Sequence, residues 1–226
     1  MATVRARDDD QKLARKHTLM DAGWTLFKEN DGQLPSVAQV VKKAGLAKGT
    51  FYLYFKTKEE LFLELLSDAV KRFFDNIKTE LSAETIDVDA VIDTFVKHVS
   101  EDEALIHLGC MLSGVIEQNT EEEVLLKFKL HMVQMLFEVG AIISAAVETA
   151  IEEGKPYNPI ETGVAARLML RSYAAFVGIA QMVPPPNSPY IDIPELAPVK
   201  LDLQLDTKAI VRALWQDALQ ACNNPE

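Results

Sequence analysis

One short stretch restricts the possible folds of this chain more than any other. Residues 36–55 contain two short helical patterns separated by a glycine turn. Ser36 is the expected N-cap of the first helix, and Gly45 stops that helix as a C′ glycine does. The second helix is expected to cover about eight residues, 48–55, with a polar and exposed start. Two short helices joined in this way predict a helix-turn-helix unit, whose second helix enters the major groove of DNA.

The charge distribution supports that interpretation. Residues 11–58 carry nine basic and three acidic side chains, a net charge of +6, whereas the whole chain of 226 residues has a net charge of −11. A basic module attached to an acidic body is typical of a nucleic-acid-binding protein with a second domain that does not face DNA. Charge alone leaves open the alternative that the asymmetry reflects only solvated helix faces.

The remainder of the chain predicts helices almost throughout, and therefore an all-α fold. No alternating pattern is longer than residues 201–205, which we interpret as a short extended segment, and the prolines of residues 184–200 predict a loop without regular structure. Thr57 and Glu60 have the spacing of a capping box at the start of a helix. We expect helices over about residues 57–81, 88–100, 102–118, 121–153, 159–182 and 206–222.

The long helix over residues 121–153 has a regular apolar stripe. Its apolar residues alternate in steps of three and four over about three heptads, which is the spacing of a helix that buries one continuous seam. The seam consists of Leu125, Phe128, Met132, Met135, Val139, Ile142 and Ala146.

The helix-turn-helix stretch resembles the TetR family of bacterial one-component transcriptional regulators. The resemblance rests on the motif Gly-x-x-Lys-Gly-Thr-Phe-Tyr-x-Tyr-Phe, which begins at Gly45, and on Lys-Glu-Glu-Leu over residues 58–61; it covers about residues 15–65. It implies that Lys48 and Gly49 lie close to DNA bases. It also implies phosphate contacts for Ser36, Thr50, Tyr52, Tyr54 and Lys58.

Several of these positions have a simpler interpretation or depart from the family pattern. Phe51 and Phe55 are expected in the core, whereas Tyr52 suits the core and a phosphate contact equally. Lys48 and Lys58 have the alternative of being solvated surface lysines. Ala47 stands where the family usually has Ser or Thr, so a side-chain cap is expected to be missing there.

The resemblance implies two domains and an effector. These are a three-helix helix-turn-helix DNA-binding domain over residues 1–60 and a helical effector-binding and dimerisation domain over residues 61–226. Methionine-rich helix faces suit an adaptable pocket, and the alternative for each residue is plain core packing. We expect a largely apolar effector with at most one polar end, not a highly charged metabolite such as a nucleotide. The candidate effector-binding residues are His107, Cys110, Met111, Phe128, Met132, Met135, Met169 and Phe176.

The resemblance also implies a homodimer. The last helix and the helix near residue 176 are apolar on more than one face, which indicates burial on two sides. Two helices from each subunit would then pack across a two-fold axis. The candidate interface residues are Ala175, Ile179, Val211, Leu214, Trp215 and Ala218.

These features predict a cytoplasmic repressor that binds double-stranded operator DNA and is released by a small molecule. The rival hypothesis is a helical enzyme or small-molecule carrier that retains the helix-turn-helix as a scaffold. No catalytic residue and no cofactor is predicted. No metal site is predicted either, because His107 and Cys110 share a helix face without a second pair at ligand spacing. Two unpatterned cysteines, Cys110 and Cys222, indicate a reducing compartment, and no segment is expected to span a membrane.

Overall fold

The computed structural model describes residues 2–81, 87–184, 188–189 and 193–219, and none of these residues belongs to a β-strand. The all-α fold class predicted from the sequence is therefore confirmed. The helices are α1 (Ala2–Glu29), α2 (Val37–Ala44), α3 (Lys48–Phe51), α4 (Lys58–Leu81), α5 (Val88–Glu101), α6 (Glu103–Met111), α7 (Glu122–Glu152), α8 (Thr162–Met182) and α9 (Leu203–Leu219), with a π-helical segment (Leu112–Ile116) and 3-10 segments (Glu117–Asn119 and Pro194–Val199).

The chain divides into two compact units. The first unit combines residues 1–68 with residues 111–128, and the second combines residues 69–110 with residues 129–226. The domain boundary that the sequence suggests at residue 60 remains a prediction.

The first unit has an aromatic core shared by α1, α3 and α4. Phe27, Phe51 and Phe62 have almost no exposed surface, and the ring centroids of Phe27 and Phe62 are 5.5 Å apart. A Cβ atom at Gly23 of α1 would lie 2.8 Å from a methyl carbon of Leu61. The missing side chain at Gly23 therefore lets α4 pack directly on α1.

The boundaries of α2 agree with the sequence prediction. The Ser36 hydroxyl accepts a hydrogen bond from the Gln39 N–H, and the Gln39 side chain accepts one from the Ser36 N–H at 2.8 Å, which completes a capping box. Gly45 ends the helix with a φ of 67°, in the left-handed region that favours glycine. These two caps fix the length of α2 and the direction in which the chain leaves it.

The helix after the turn is shorter than predicted. Helix α3 ends at Phe51 instead of Phe55, because the N–H groups of Leu53 and Tyr54 bond to carbonyls only three residues earlier, at 3.3 and 3.0 Å. This tighter turn places both phenylalanine rings in the core, with 5.6 Å between their centroids. Ala47 provides no side-chain cap for α3, as expected.

The predicted helix over residues 102–118 is interrupted. Helix α6 ends at Met111, and the chain continues through the π-helical and 3-10 segments. The Asn119 side-chain amide donates to the Val115 carbonyl at 2.9 Å, and the Thr120 hydroxyl donates to the Ile116 carbonyl at 2.8 Å. These side chains bind carbonyls that have lost the regular α-helical pattern, as helix ends require.

The apolar stripe of α7 shifts along the helix. Of the predicted heptad seam, Phe128, Met135 and Val139 are buried and Leu125 and Met132 are half-buried. Beyond Val139 the seam positions are half-buried, and the buried apolar residues are instead Ile143 and Val147. A straight α-helix has 3.6 residues per turn, so a stripe that repeats every 3.5 residues drifts by about 20° per heptad. The buried face therefore moves one residue along the chain.

Helices α7 and α8 are in close contact at a glycine. A Cβ atom at Gly140 would lie 2.6 Å from the Thr162 carbonyl oxygen and 3.3 Å from the Ala166 Cβ. One turn later the Ser144 hydroxyl donates to the Ile160 carbonyl. This contact between backbones leaves no room for a side chain at residue 140.

Helix α9 is anchored to α8 and α5. Trp215 is 1% exposed, and its indole N–H donates to the Ser172 hydroxyl at 3.1 Å, which in turn donates to the Leu168 carbonyl at 2.8 Å. Arg212 forms an ion pair of 2.8 Å with Asp89 of α5. One face of α9 is thus fully used by packing within the protomer.

Three predictions near the last helix are wrong. Helix α9 begins at Leu203, not at residues 206–207, because the Asp202 carboxylate accepts from the N–H groups of Gln204 and Leu205 at 3.0 and 2.8 Å. Residues 203–205 are therefore helical, not extended. Residues 194–199 form a 3-10 helix within the stretch expected to lack regular structure. The predicted helix end near Cys222 lies outside the described residues.

Helices α7 and α8 are long and apolar enough to cross a membrane by length and composition. Both helices also supply core residues of the second unit, including Val139, Ile143 and Phe176, each with no exposed surface. Core helices of globular proteins pass the same test of length and hydropathy, so this feature does not identify a membrane protein.

Candidate DNA-binding surface and effector pocket

The start of α3 is open to solvent. Lys48 and Gly49 are exposed, and the Lys48 ammonium lies 6.0 Å from the centroid of the Tyr52 ring. Apart from its chain neighbours and the backbone of its own helix, no atom of the described residues lies within 4 Å of a Cβ atom built on Gly49, so internal packing does not require a glycine there. The absence of a side chain is instead what close approach to an external backbone or base requires.

The residues predicted to contact phosphates differ in exposure. Tyr52 is 51% exposed, which favours an accessible hydroxyl over a core position, and Thr50 and Tyr54 are half-buried. Ser36 is exposed at the start of α2. The Lys58 ammonium donates to the Leu34 carbonyl at 3.5 Å, so this cation lies beside the chain that enters α2. A cation next to the first turn of a helix is a favourable arrangement for an anion.

The start of α4 is attached to the segment before α7. The Thr57 hydroxyl accepts from the Glu60 N–H at 3.1 Å and donates to the Asn119 carbonyl at 3.0 Å, and the Lys56 ammonium pairs with the Glu121 carboxylate. We call the bond from Thr57 to Asn119 and the ion pair of Lys56 with Glu121 the loop clasp. The predicted capping pair is present, although the reciprocal bond to Glu60 comes from the Lys56 N–H, at 2.7 Å.

The loop clasp was not found by sequence reasoning. Its partners are 62 and 65 residues apart in the chain. No periodicity or local motif connects residues at such a separation, because their proximity depends on the path of the chain through α4, α5 and α6.

The second unit contains a small apolar pocket. Its cavity volume is about 30 Å³, which leaves room for water but is far below the several hundred Å³ of a typical ligand pocket. Of the residues predicted to bind an effector, Met132 and Met169 line it. The other lining residues were not predicted: Val70, Phe73, Phe74, Leu105, Leu136, Leu170 and Tyr173.

The remaining effector candidates do not line this pocket. Met135 and Phe176 are buried, and His107 is exposed. Cys110 is half-buried, its thiol donates to the Val177 carbonyl at 3.9 Å, and burial raises the pKa of the thiol. Two further candidates, Met111 and Phe128, belong to the first unit. The prediction for all these residues remains untested.

Tyr173 is the polar side chain in the pocket wall. Its hydroxyl donates to the Leu105 carbonyl at 3.2 Å, and burial raises the pKa of the phenol, so the group stays protonated. A Cβ atom at Gly109 would lie 2.1 Å from the Tyr173 hydroxyl oxygen. The glycine of α6 therefore provides the space that the hydroxyl occupies, a pairing without a sequence signal.

The residues predicted for a dimer interface separate into two groups. Ile179, Val211 and Trp215 have almost no exposed surface within one protomer, so they are core residues and the prediction of direct intersubunit contact is corrected for them. Ala175, Leu214 and Ala218 are half-buried. The exposed apolar residues of the same two helices are Leu170, Ala174, Met182, Leu205, Ala209, Ile210 and Ala213.

Two protein-family models match the chain. The model described as bacterial regulatory proteins, tetR family, matches residues 19–65. The model described as tetracyclin repressor-like, C-terminal domain, matches residues 67–220. Together they cover both units and most of the chain.

Curated relatives match over a shorter region. The fatty acid metabolism regulator protein of Bacillus subtilis (strain 168) is 28% identical over 90 residues, which are 40% of this chain and 46% of the relative. The HTH-type transcriptional regulator YdgC of the same organism is 33% identical over 89 residues, 36% of this chain and 46% of the relative. The matched region thus spans less than half the length of these relatives.

Solved structures are similar over nearly the whole chain. The fatty acid degradation regulator FadR from Bacillus halodurans has a TM-score of 0.54 at 18% identity, covering 93% of this chain and 97% of that chain. FadR from Bacillus subtilis in complex with stearoyl-CoA has a TM-score of 0.54 at 17% identity, covering 88% and 96%. At these identities the likeness shows the fold alone.

Proposed function

Because the chain belongs to the TetR family of bacterial transcriptional regulators, we propose that it is a homodimeric repressor that binds operator DNA. In this proposal a largely apolar small molecule releases the repressor from its operator. The observation that carries this proposal is the exposed start of α3, where Lys48 and Gly49 have no structural role in packing. A cytoplasmic location is part of the proposal, since the operator lies on the chromosome.

In the proposed complex, α3 enters the major groove. The long, charged side chain of Lys48 can donate hydrogen bonds to a base edge, and Gly49 allows the start of α3 to approach the bases closely. The phosphate contacts assigned to Ser36, Thr50, Tyr52, Tyr54 and Lys58 fix the orientation of α3 on the duplex but do not read its sequence.

The effector is proposed to be a compound with a hydrocarbon chain. The pocket wall is apolar apart from Tyr173, and two of the similar proteins are named as regulators of fatty acid metabolism or degradation. A cavity of about 30 Å³ is too small for such a chain, so binding must select a state in which the pocket is wider.

Helix α4 is the proposed connection between effector and DNA. It contributes Val70, Phe73 and Phe74 to the pocket wall and begins at Lys58, a proposed phosphate contact. A ligand that displaces these side chains changes the position of α4, and with it the spacing of the two recognition helices of a dimer. The effect must be reciprocal, so operator DNA weakens effector binding by the same factor.

The DNA-binding proposal is tested by fluorescence anisotropy with duplexes from the region upstream of the chain's own gene. We expect Lys48→Ala to weaken binding to the preferred sequence by about 1–3 kcal/mol. Lys155→Ala, which removes the same charge from an exposed position of the second unit, serves as the matched control. Equal affinities for the preferred and the scrambled duplex would exclude a sequence-specific regulator.

The effector proposal is tested by thermal shift with long-chain fatty acids, fatty alcohols and nucleotides. Met132→Trp fills the pocket and is expected to abolish stabilisation by the chain compounds, with DNA affinity near that of wild type. Met182→Trp is the control, because this residue is 74% exposed and lies outside the pocket wall. Stabilisation by nucleotides only, or equal stabilisation of both variants, contradicts the assignment of the pocket.

A further inference from the structure

The loop between α3 and α4 contains a lysine to which the proposed function gives no role. Lys56 lies between two proposed phosphate contacts, Tyr54 and Lys58, and its side chain is 66% exposed. Its ammonium is nevertheless paired, because it binds the Glu121 carboxylate just before α7. The second bond of the loop clasp, from the Thr57 hydroxyl to the Asn119 carbonyl, holds this carboxylate close to the loop.

The surroundings of Lys56 are strongly acidic. The hydrogen bond that the Lys56 ammonium donates to Glu121 raises the pKa of this ammonium, desolvation opposes the shift, and the charges of Glu121, Glu60 and Glu123 add to it. The lysine therefore carries a full positive charge, and carboxylates of the same chain neutralise its field. Such an exposed pair contributes little to folding stability, which leaves its position beside the DNA surface without a structural explanation.

We infer that Lys56 is a further phosphate-binding residue of the DNA surface, and that Glu121 holds it in an autoinhibitory ion pair by occupying the place of a DNA phosphate. The inference rests on the proposed DNA-binding function and adds to it a competition between an internal and an external anion. A lysine ammonium is a compact point charge on a flexible stem, so it exchanges one oxygen anion for another without rearrangement of the backbone.

This competition gives the segment before α7 a regulatory role. Residues 117–121 follow the π-helical segment, and α6 before it contributes Leu105 to the pocket wall. A state of the protein in which residues 119–121 stay attached to the loop keeps Lys56 from DNA. A state in which they detach provides one more phosphate contact.

The test compares Glu121→Gln with Glu122→Gln. Both changes raise the net charge by one at neighbouring exposed positions, but only Glu121 pairs with Lys56 among the described residues. Binding to the operator and to a random duplex is measured by anisotropy over a range of salt concentrations. One added phosphate contact steepens the slope of the logarithm of the binding constant against the logarithm of the salt concentration by about 0.9. The affinity gained at 0.1 M salt is then roughly 8-fold larger than the affinity gained at 1 M salt.

We expect that steepening for Glu121→Gln and not for Glu122→Gln. Lys56→Gln alone should change the affinity for DNA by less than about 2-fold, because the paired lysine contributes little to DNA binding. In the Glu121→Gln background, Lys56→Gln should remove the whole affinity gain of Glu121→Gln. Circular dichroism melts confirm that all four proteins are folded.

Two results overturn the inference. One is an equal change in Glu121→Gln and Glu122→Gln, which reflects net charge only, and the other is a gain in Glu121→Gln that persists without Lys56. Because phosphate contacts are measurable on random DNA, a wild type that binds every duplex equally refutes only the proposed operator specificity. A wild type that binds no duplex at low salt refutes both.

Discussion

Single residues determine the shape of the apolar pocket in the second unit through a pairing of glycine and tyrosine. Gly109 of α6 leaves the space for the Tyr173 hydroxyl, which reaches the Leu105 carbonyl from α8. The phenol is buried and needs this acceptor, since a buried polar group without a partner is costly. The two residues therefore depend on each other, although 64 positions separate them in the sequence.

We predict that Gly109→Ala destabilises the protein by about 1–3 kcal/mol, the cost of depriving a buried hydroxyl of its partner. The added methyl group would lie 2.1 Å from the Tyr173 oxygen but 3.2 Å from the ring carbon that bears it. Tyr173→Phe should therefore restore part of the stability lost in Gly109→Ala. Thermal and urea unfolding measure both effects.

Gly163→Ala is the control for this pair, because the nearest atom to a Cβ there is 4.0 Å away. It should leave stability unchanged or slightly raised, as alanine favours helices more than glycine does. A double variant no more stable than Gly109→Ala contradicts the proposed steric pairing.

Among the elements, the turn between α2 and α3 allows two glycines to be compared. Gly45 needs its freedom for a positive φ, whereas Gly49 is helical and has open space around it. We predict that Gly45→Ala lowers the stability by about 1–2 kcal/mol, because of the left-handed backbone. Gly49→Ala should keep or raise the melting temperature while weakening operator binding.

Anisotropy and thermal melts on the two variants separate folding from DNA recognition. Loss of stability in Gly49→Ala, or full operator affinity with unchanged melting, contradicts the assigned role of Gly49.

The elements also show how far the sequence predicts this fold. The sequence predicts caps with local chemistry, such as Ser36 and Gly45, because each depends on residues within one helical turn. It does not predict the end of α3, because burial of Phe55 overrides local helix propensity. The π-helical segment after Met111 has the same apolar spacing as an α-helix, and the pocket wall and loop clasp depend on contacts between distant segments.

For the whole molecule, the exposed surface of α9 is part of the proposed dimer interface. Ile210 is 44% exposed and lies on the face away from the buried Val211 and Trp215. We predict that Ile210→Asp produces a folded monomer, because an unpaired charge in an apolar interface is strongly unfavourable. Operator binding should fall with it, since two half-sites about 34–36 Å apart require two linked recognition helices.

Val133→Asp provides the comparison, as this residue is 45% exposed on α7. Analytical ultracentrifugation measures the association state of both variants. A monomeric Val133→Asp protein together with a dimeric Ile210→Asp protein would place the interface on α7 instead of α8 and α9.

The two tryptophans of the chain serve as separate optical reporters. Trp215 is enclosed in the second unit with its indole N–H bound to Ser172, whereas Trp24 is half-buried in the first unit and stacked on Phe27 with Lys28 above its ring. An apolar enclosure shifts indole emission to shorter wavelengths, and partial exposure shifts it to longer ones. The intrinsic fluorescence of the unlabelled protein therefore distinguishes events in the second unit from events in the first unit, in a single cuvette and without any engineered probe.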